Sequence, residues 1–228
     1  MKAVIFSAPE LKRDTIHELA ICNGFSIVEE NPEFVLSYGG DGTFMRAEGI
    51  WPGIPKVILR GSAVCKLCSS FDNEDVLRRI SKGKYSIEEF WKLEVKVEGR
   101  KLEGVNDIVV HNGNPRHAIR YKLSVDGRPV GDQVIGDGIV VATPLGSTGY
   151  YRSITDSFFE TGMGLAFNNS TEQSDHMVLK ENSTISVTIT RGPAVVYADN
   201  KEGVFELKEG EGAEIRKSSS VARIVRVE

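Results

Sequence analysis

Residues 34–47 read FVLSYGGDGTFMRA. An apolar run enters the tight cluster Gly39-Gly40-Asp41-Gly42-Thr43, and helical spacing continues through Met45 and Ala47. A strand that turns on glycines into a helix presents backbone N–H groups at the positive end of the helix dipole, an arrangement that draws phosphate. The two commonest phosphate loops do not fit. No Gly-Lys-Ser/Thr follows, and Met45 stands where Gly-x-Gly-x-x-Gly needs its third glycine. Asp41 is the unusual residue. A carboxylate among phosphates is repelled unless it holds a bridging metal or accepts the proton of a hydroxyl being phosphorylated, and both roles belong to phosphoryl transfer. The plain alternative is a turn, where Asp-Gly and Gly-Gly are common.

Outward from this loop the first third of the chain alternates between strand and helix patterns. Residues 2–7 (KAVIFS) read as a buried strand, and residues 11–23 place Leu11, Thr15, Ile16, Leu19 and Ala20 on one helical face, with Gly24 as a C-terminal cap. Short strands are expected at 25–28, 34–38 and 56–59. Asp72-Asn73 can cap a helix carrying Val76, Leu77 and Ile80 that ends at Gly83. Such alternation predicts a Rossmann-like parallel sheet covered on its faces, in an α/β domain over residues 1–84. From residue 85 the pattern turns to strands: WKLEVKVE at 91–98 alternates with period 2, and Asp126-Gly127 is a hairpin signal within 121–130. Further strands are expected at 139–142, 184–190, 194–197, 203–207 and 221–227, with Ser218-Ser219-Ser220 as a loop before the last. Residues 85–228 thus read as a β-rich, sandwich-like domain, and the last strand is a candidate to return to the N-terminal domain.

The chain has 228 residues, enough for a substantial core, and a formal net charge of −4 with its Lys and Arg dispersed. Nucleic-acid and anionic-membrane binding are disfavoured. No run approaches the roughly 20 apolar residues of a membrane span, and no signal-peptide cleavage pattern follows the first strand. Three cysteines, Cys22, Cys65 and Cys68, are too few for a secreted disulfide framework, so a cytoplasmic protein is expected. Cys65 and Cys68 have metal-ligand spacing without a second pair; packed thiols are the expectation, and no metal-ligand set is assigned.

Two further stretches carry chemistry. Residues 136–153, GDGIVVATPLGSTGYYRS, run from an apolar strand into a loop of hydroxyls, backbone donors and aromatic faces, a mixture suited to a nucleoside. Asn106-Asp107 sits just before another apolar strand, and an amide beside a carboxylate can hold a ribose diol. The plain alternatives are a hairpin loop for the first and, with more weight, a simple turn for the second.

Together, Gly39-Gly40-Asp41-Gly42-Thr43, Asn106-Asp107 and residues 136–153 resemble the NAD kinase family in order and spacing. The first motif alone is shared with diacylglycerol and sphingosine kinases. The resemblance implies an α/β domain and a β-rich domain with the active site between them. It also implies phosphoryl transfer from ATP, or inorganic polyphosphate, to the 2′-hydroxyl of the adenosine ribose of NAD, with Mg²⁺. Asp41 would take or orient the proton of that hydroxyl. Gly39, Gly40, Gly42 and Thr43 would hold phosphates. Asn106, Asp107, Asp137, Thr148, Gly149, Tyr150 and Ser153 would bind NAD, with Tyr150 an aromatic wall. A homo-oligomer, dimer or tetramer, is implied as well. The chain departs from the family at residues 60–68, RGSAVCKLC, where a Gly-x-Asn-x-Gly-x-Leu-Gly-Phe loop is usual, and Ala198-Asp199-Asn200 is a candidate counterpart of a Val-Asp-Gly-like turn. The rival readings are a diacylglycerol-type lipid kinase and a catalytically weak NAD(P)-binding sensor on the same scaffold.

Overall fold

The computed structural model describes residues 1–171, 176–201 and 203–228. Its N-terminal unit, Met1–Phe90 with Val221–Glu228, runs β1 (Lys2–Ser7), α1 (Arg13–Cys22), β2 (Ser26–Ile27), β3 (Phe34–Gly39), α2 (Asp41–Ile50), β4 (Lys56–Arg60) and α3 (Asn73–Ser81). β1 pairs in parallel with β2 and β3, and β3 with β4. The final strand, β17 (Gly212–Val227), meets β4 in parallel at Ile224 and Lys56. β1 is apolar at successive positions because both faces of the sheet are covered. Ala3 and Ile5 join Ile16 and Ala20 of α1 and Val76, Leu77 and Ile80 of α3, whereas Val4 packs with Val35, Ala47 of α2 and Trp51. The expected punctuation is present: the Asp72 carboxylate accepts the Asp75 N–H at 2.8 Å to cap α3, and Gly24 takes a positive φ beyond α1.

The C-terminal unit, Trp91–Ser220, is a sandwich of antiparallel sheets. One sheet has six strands in the order β13-β12-β11-β7-β15-β16. These are β7 (Asp107–Asn112), β11 (Gly138–Ala142), β12 (Met163–Asn168), β13 (His176–Leu179), β15 (Ala194–Ala198) and β16 (Val204–Leu207). The other is built on β8 (Ile119–Val125), β10 (Val134–Gly136), β14 (Ile185–Arg191) and the first part of β17. β9 (Arg128–Pro129) pairs with β8 across a turn in which Asp126 and Gly127 both have positive φ, as the hairpin signal predicts. β5 (Tyr85–Val97) and β6 (Arg100–Gly104) form a second hairpin, and β5 runs through the boundary between the units. Ile108, Val110, Ile139, Val141 and Leu165 point into the sandwich core with Leu93, Val95, Tyr121 and Val187. The alternate residues Val109, Val140, Ala142 and Ala166 face outward against Tyr151 of a short helix, α4 (Tyr150–Thr155). That outer face, carrying position 107, 109 or 111 of β7 and 168 of β12 by the period-2 rule, is where the candidate site lies.

Three local expectations change. Ser218-Ser219-Ser220 lies inside β17 rather than in a loop. The reason is Glu103 of β6, whose carboxylate accepts from both Ser218 and Ser220, at 2.5 and 2.9 Å. Part of the hydroxyl-rich loop is helical, as α4 after the 3-10 turn Gly146–Thr148. The alternation of β5 breaks over residues 92–95, where Lys92 and Glu94 are buried with Leu93 and Val95, and Glu94 accepts from Arg216 at 2.7 Å.

The N-terminal unit also buries charge. Lys56 and Glu48 are 0% and 1% exposed and form an ion pair. Lys56 also donates to the Trp51 carbonyl, and Glu48 accepts the Gly53 N–H at 3.0 Å. Removing one member of a buried pair strands the other charge. Glu48→Ala is therefore expected to cost about 3–5 kcal/mol in urea denaturation, and the double change Glu48→Leu with Lys56→Met much less.

Candidate functional site

The glycine loop sits where the sequence places it. Gly39 ends β3, Gly40 is the N-terminal cap of α2, and Asp41 occupies its first turn. A Cβ at Gly39 would lie 2.2 Å from Thr43 Oγ1, so a side chain there would have to displace Thr43. Gly42 and Thr43 belong to the same turn of α2, with Thr43 buried. Asp41 is half-buried, and both its oxygens are engaged: Oδ1 accepts the Leu67 N–H at 3.0 Å and Oδ2 the Lys66 N–H at 3.1 Å. The divergent segment at 60–68 therefore folds onto Asp41. Its cysteines are not packed thiols: Cys65 and Cys68 form a disulfide, their Cα atoms 5.5 Å apart, a separation that two intervening residues in a turn readily supply. The Cys65 sulfur lies 3.4 Å from Asp41 Oδ1, but a disulfide sulfur has no proton to donate.

In the C-terminal unit the two remaining motifs meet. The Thr143 hydroxyl donates to the Val105 carbonyl at 2.6 Å, and its N–H to the Asn106 carbonyl at 2.8 Å. A Cβ at Gly146 would lie 2.1 Å from the Asn106 carbonyl oxygen. Only glycine permits that approach. Asp199, which the sequence left as a weak candidate, fixes the turn from the other side. Its carboxylate accepts from Val105 at 2.8 Å, Asn106 at 2.8 Å and Asp107 at 3.2 Å, all backbone N–H groups. Burial raises the Asp199 pKa above the ordinary carboxylate value, and the three donors, with the charge of Lys201, offset only part of that rise. Asp107, 8% exposed, is pushed up to about 7 by burial and then by the charge of Asp199. Of the two, Asp199 has the donors that favour a charged form, so Asp107 is the one that takes up a proton first as pH falls.

Tyr150, at the start of α4, and Ser153 line a cavity of about 630 Å³ with Phe167, Asn168, Asn169 and His176. The volume suits a nucleoside-sized ligand. Asn106, Asp107, Asp137, Thr148 and Gly149 are not among the residues that line it, and Asp137 lies behind its wall. The Asp137 oxygens accept from Asn112 Nδ2 at 2.9 Å and Asn169 Nδ2 at 2.7 Å, so it anchors the cavity wall. Thr148 closes the 3-10 turn and Gly149 precedes α4. Asn168, 9% exposed, was missed by the sequence reading. The pair Asn168-Asn169 closing the apolar run MGLAF was the signal available.

The family profile described as ATP-NAD kinase C-terminal domain matches residues 105–227. The chain belongs to this family. Among its relatives, an NAD kinase of Saccharolobus solfataricus is 37% identical over 137 residues, 59% of this chain and 53% of that one. A bifunctional NADP phosphatase/NAD kinase of Methanococcus maripaludis is 30% identical over 220 residues, covering 90% of this chain and 38% of its own. The chain thus matches about half or less of the length of these two relatives. An NAD kinase of Archaeoglobus fulgidus solved with ATP superposes with a TM-score of 0.83 at 23% identity, over 100% of this chain and 94% of that one. A yeast NADH kinase solved with NADH gives 0.85 at 16%, over 100% and 84%. At such identities the likeness shows the fold, an α/β unit and a β-sandwich unit as the sequence predicts.

The Asp107–Asp199 pair makes the stability of this chain depend on pH in a definite direction. Asp107 holds its proton more tightly folded than unfolded, so its contribution to stability is full below about pH 4 and is lost as pH rises to about 7. Asp107→Asn removes the titration. Between about pH 5 and about pH 8 the thermal midpoint of the parent should fall relative to that of Asp107→Asn, and parallel curves would refute the assignment.

Proposed function

We propose that this chain transfers the terminal phosphoryl group of ATP, or of polyphosphate, to the 2′-hydroxyl of the adenosine ribose of NAD, giving NADP. The observation that carries the reading is Asp41, a carboxylate in the first turn of a helix that follows a strand and two glycines. Family membership over residues 105–227 supports it, and so does the fold shared with an NAD kinase solved with ATP. In this reading Asp41 accepts or orients the proton of the attacking hydroxyl, while the N–H groups at the start of α2 and the Thr43 hydroxyl hold phosphate oxygens. The Lys66 and Leu67 amides fix the rotamer of Asp41, which is positioning of the kind that phosphoryl transfer chiefly needs.

Asn106, Asp107, Tyr150 and Ser153 bind the adenosine half of NAD, and Thr148 and Gly149 shape the turn that presents Tyr150. Mg²⁺ takes one or two protein carboxylates and completes its shell with water and phosphate; the single carboxylate Asp41 beside a phosphate-binding turn fits that donor set. When bound, the ion neutralises charge on the transferring phosphoryl group. A homo-oligomer in the cytoplasm belongs to the same reading.

One observation favours a second reading, a dinucleotide-binding sensor without turnover: both Asp41 oxygens are already engaged by backbone amides. Formation of NADP from NAD, Mg²⁺ and ATP or polyphosphate, followed with an NADP-specific dehydrogenase, separates the two. Turnover is expected, and NAD binding with no product would establish the sensor. Asp41→Asn should lower kcat by at least about 100-fold, the usual weight of a general base, with NAD affinity within about twofold. Near-parental kcat would remove Asp41 from the reaction.

A further inference from the structure

The wall of the cavity at Tyr150 contains a chain of polar groups whose proton positions can be deduced. His111 Nδ1 lies 3.2 Å from the Asn112 carbonyl oxygen. A backbone carbonyl only accepts, so Nδ1 carries the proton. In the neutral ring Nε2 is then the acceptor, and the atom of Asn168 that faces it at 3.2 Å is Nδ2. The same Nδ2 stands 2.9 Å from Tyr150 Oη. The phenol oxygen therefore receives a hydrogen bond from Asn168, and its own proton must go elsewhere. Among the described residues none accepts it, whereas Tyr150 and Asn168 both border the cavity.

We propose that His111 and Asn168 are positioning residues that fix Tyr150 as a hydrogen-bond donor toward the cavity, so that the site selects a ligand presenting an acceptor atom there. Resting on the proposed function, that ligand is the adenosine half of NAD, and the acceptor is a ring nitrogen or a ribose oxygen. The chain spans the outer face of the six-stranded sheet: His111 is on β7, Asn168 on β12, and Tyr150 opens α4. Asn168 is 9% exposed, so its amide has little water to turn toward, and reversing it would place its oxygen against an Nε2 lone pair. The state of Tyr150 agrees. Burial raises its pKa, the Asn168 bond lowers it, and the carboxylates of Asp137 and Asp107 raise it further. It therefore keeps the proton it is to donate.

Two measurements test this. Long-range ¹H–¹⁵N correlation of the imidazole nitrogens in the full-length protein reads the tautomer directly. His111 is expected in the Nδ1–H form, and the Nε2–H form would overturn the proposal whatever the enzyme does. Asn168→Asp is isosteric but can only accept once ionised, so it would capture the Tyr150 proton. It should raise KM for NAD about tenfold, the weight of one hydrogen bond, with kcat within about twofold. Tyr150→Phe should match it, and the double variant should be no worse than either single one. An unchanged KM in Asn168→Asp, or additive losses in the double variant, would sink the relay. If the parent protein forms no NADP, the kinase reading fails while the tautomer still decides the relay. An active kinase with the Nε2–H form fails the relay alone.

Discussion

The candidate dinucleotide site depends on one buried carboxylate. Asp199 gathers the amides of Val105, Asn106 and Asp107, and without it successive N–H groups would be left without partners at the mouth of β7. Stranding buried donors is costly, so the turn has no cheap alternative shape. Once the turn is set, its Asn106 carbonyl accepts from Thr143 and comes so close to Gly146 that the next segment must be glycine at that point. α4 follows a few residues later, and Tyr150 arrives at the cavity as a consequence.

The constraint works because the acid and the amides come from strands already locked together. β15 pairs with β7 in a register that sets Ala198 beside Ile108, so Asp199 falls next to the turn. β7 in turn pairs with β11, Ala142 opposite Asp107, which delivers Thr143 to the same place. The sandwich core thus aligns three segments that lie far apart along the chain. Its inward residues supply the cohesion, and the outward residues between them supply the chemistry.

Much of this was legible in the sequence, for physical reasons that act locally. The continuous apolar run of β1, the Asp72 cap of α3 and the Asp126-Gly127 turn each state their structure within a few residues. The glycine loop was legible because Asp41 is so out of place among glycines. What stayed hidden depends on partners distant in sequence. Ser218 and Ser220 join a strand because Glu103 accepts from both, at separations of 115 and 117 residues. His111 and Asn168 meet across 57 residues, and Asp199 reaches Asn106 across 93. β12 escaped notice because Gly164 near its start and Asn168 at its end dilute the pattern of a short strand. The Cys65–Cys68 bond was unreadable for another reason: spacing is compatible with a metal, with thiols and with a crosslink, and only the folded turn chooses.

That crosslink closes the ring from which the Lys66 and Leu67 amides reach Asp41. The thiol status of a preparation is therefore a variable of the surroundings of Asp41, and a sample handled with dithiothreitol and one handled in air are chemically different proteins at that carboxylate. Measurements on the two belong in separate columns.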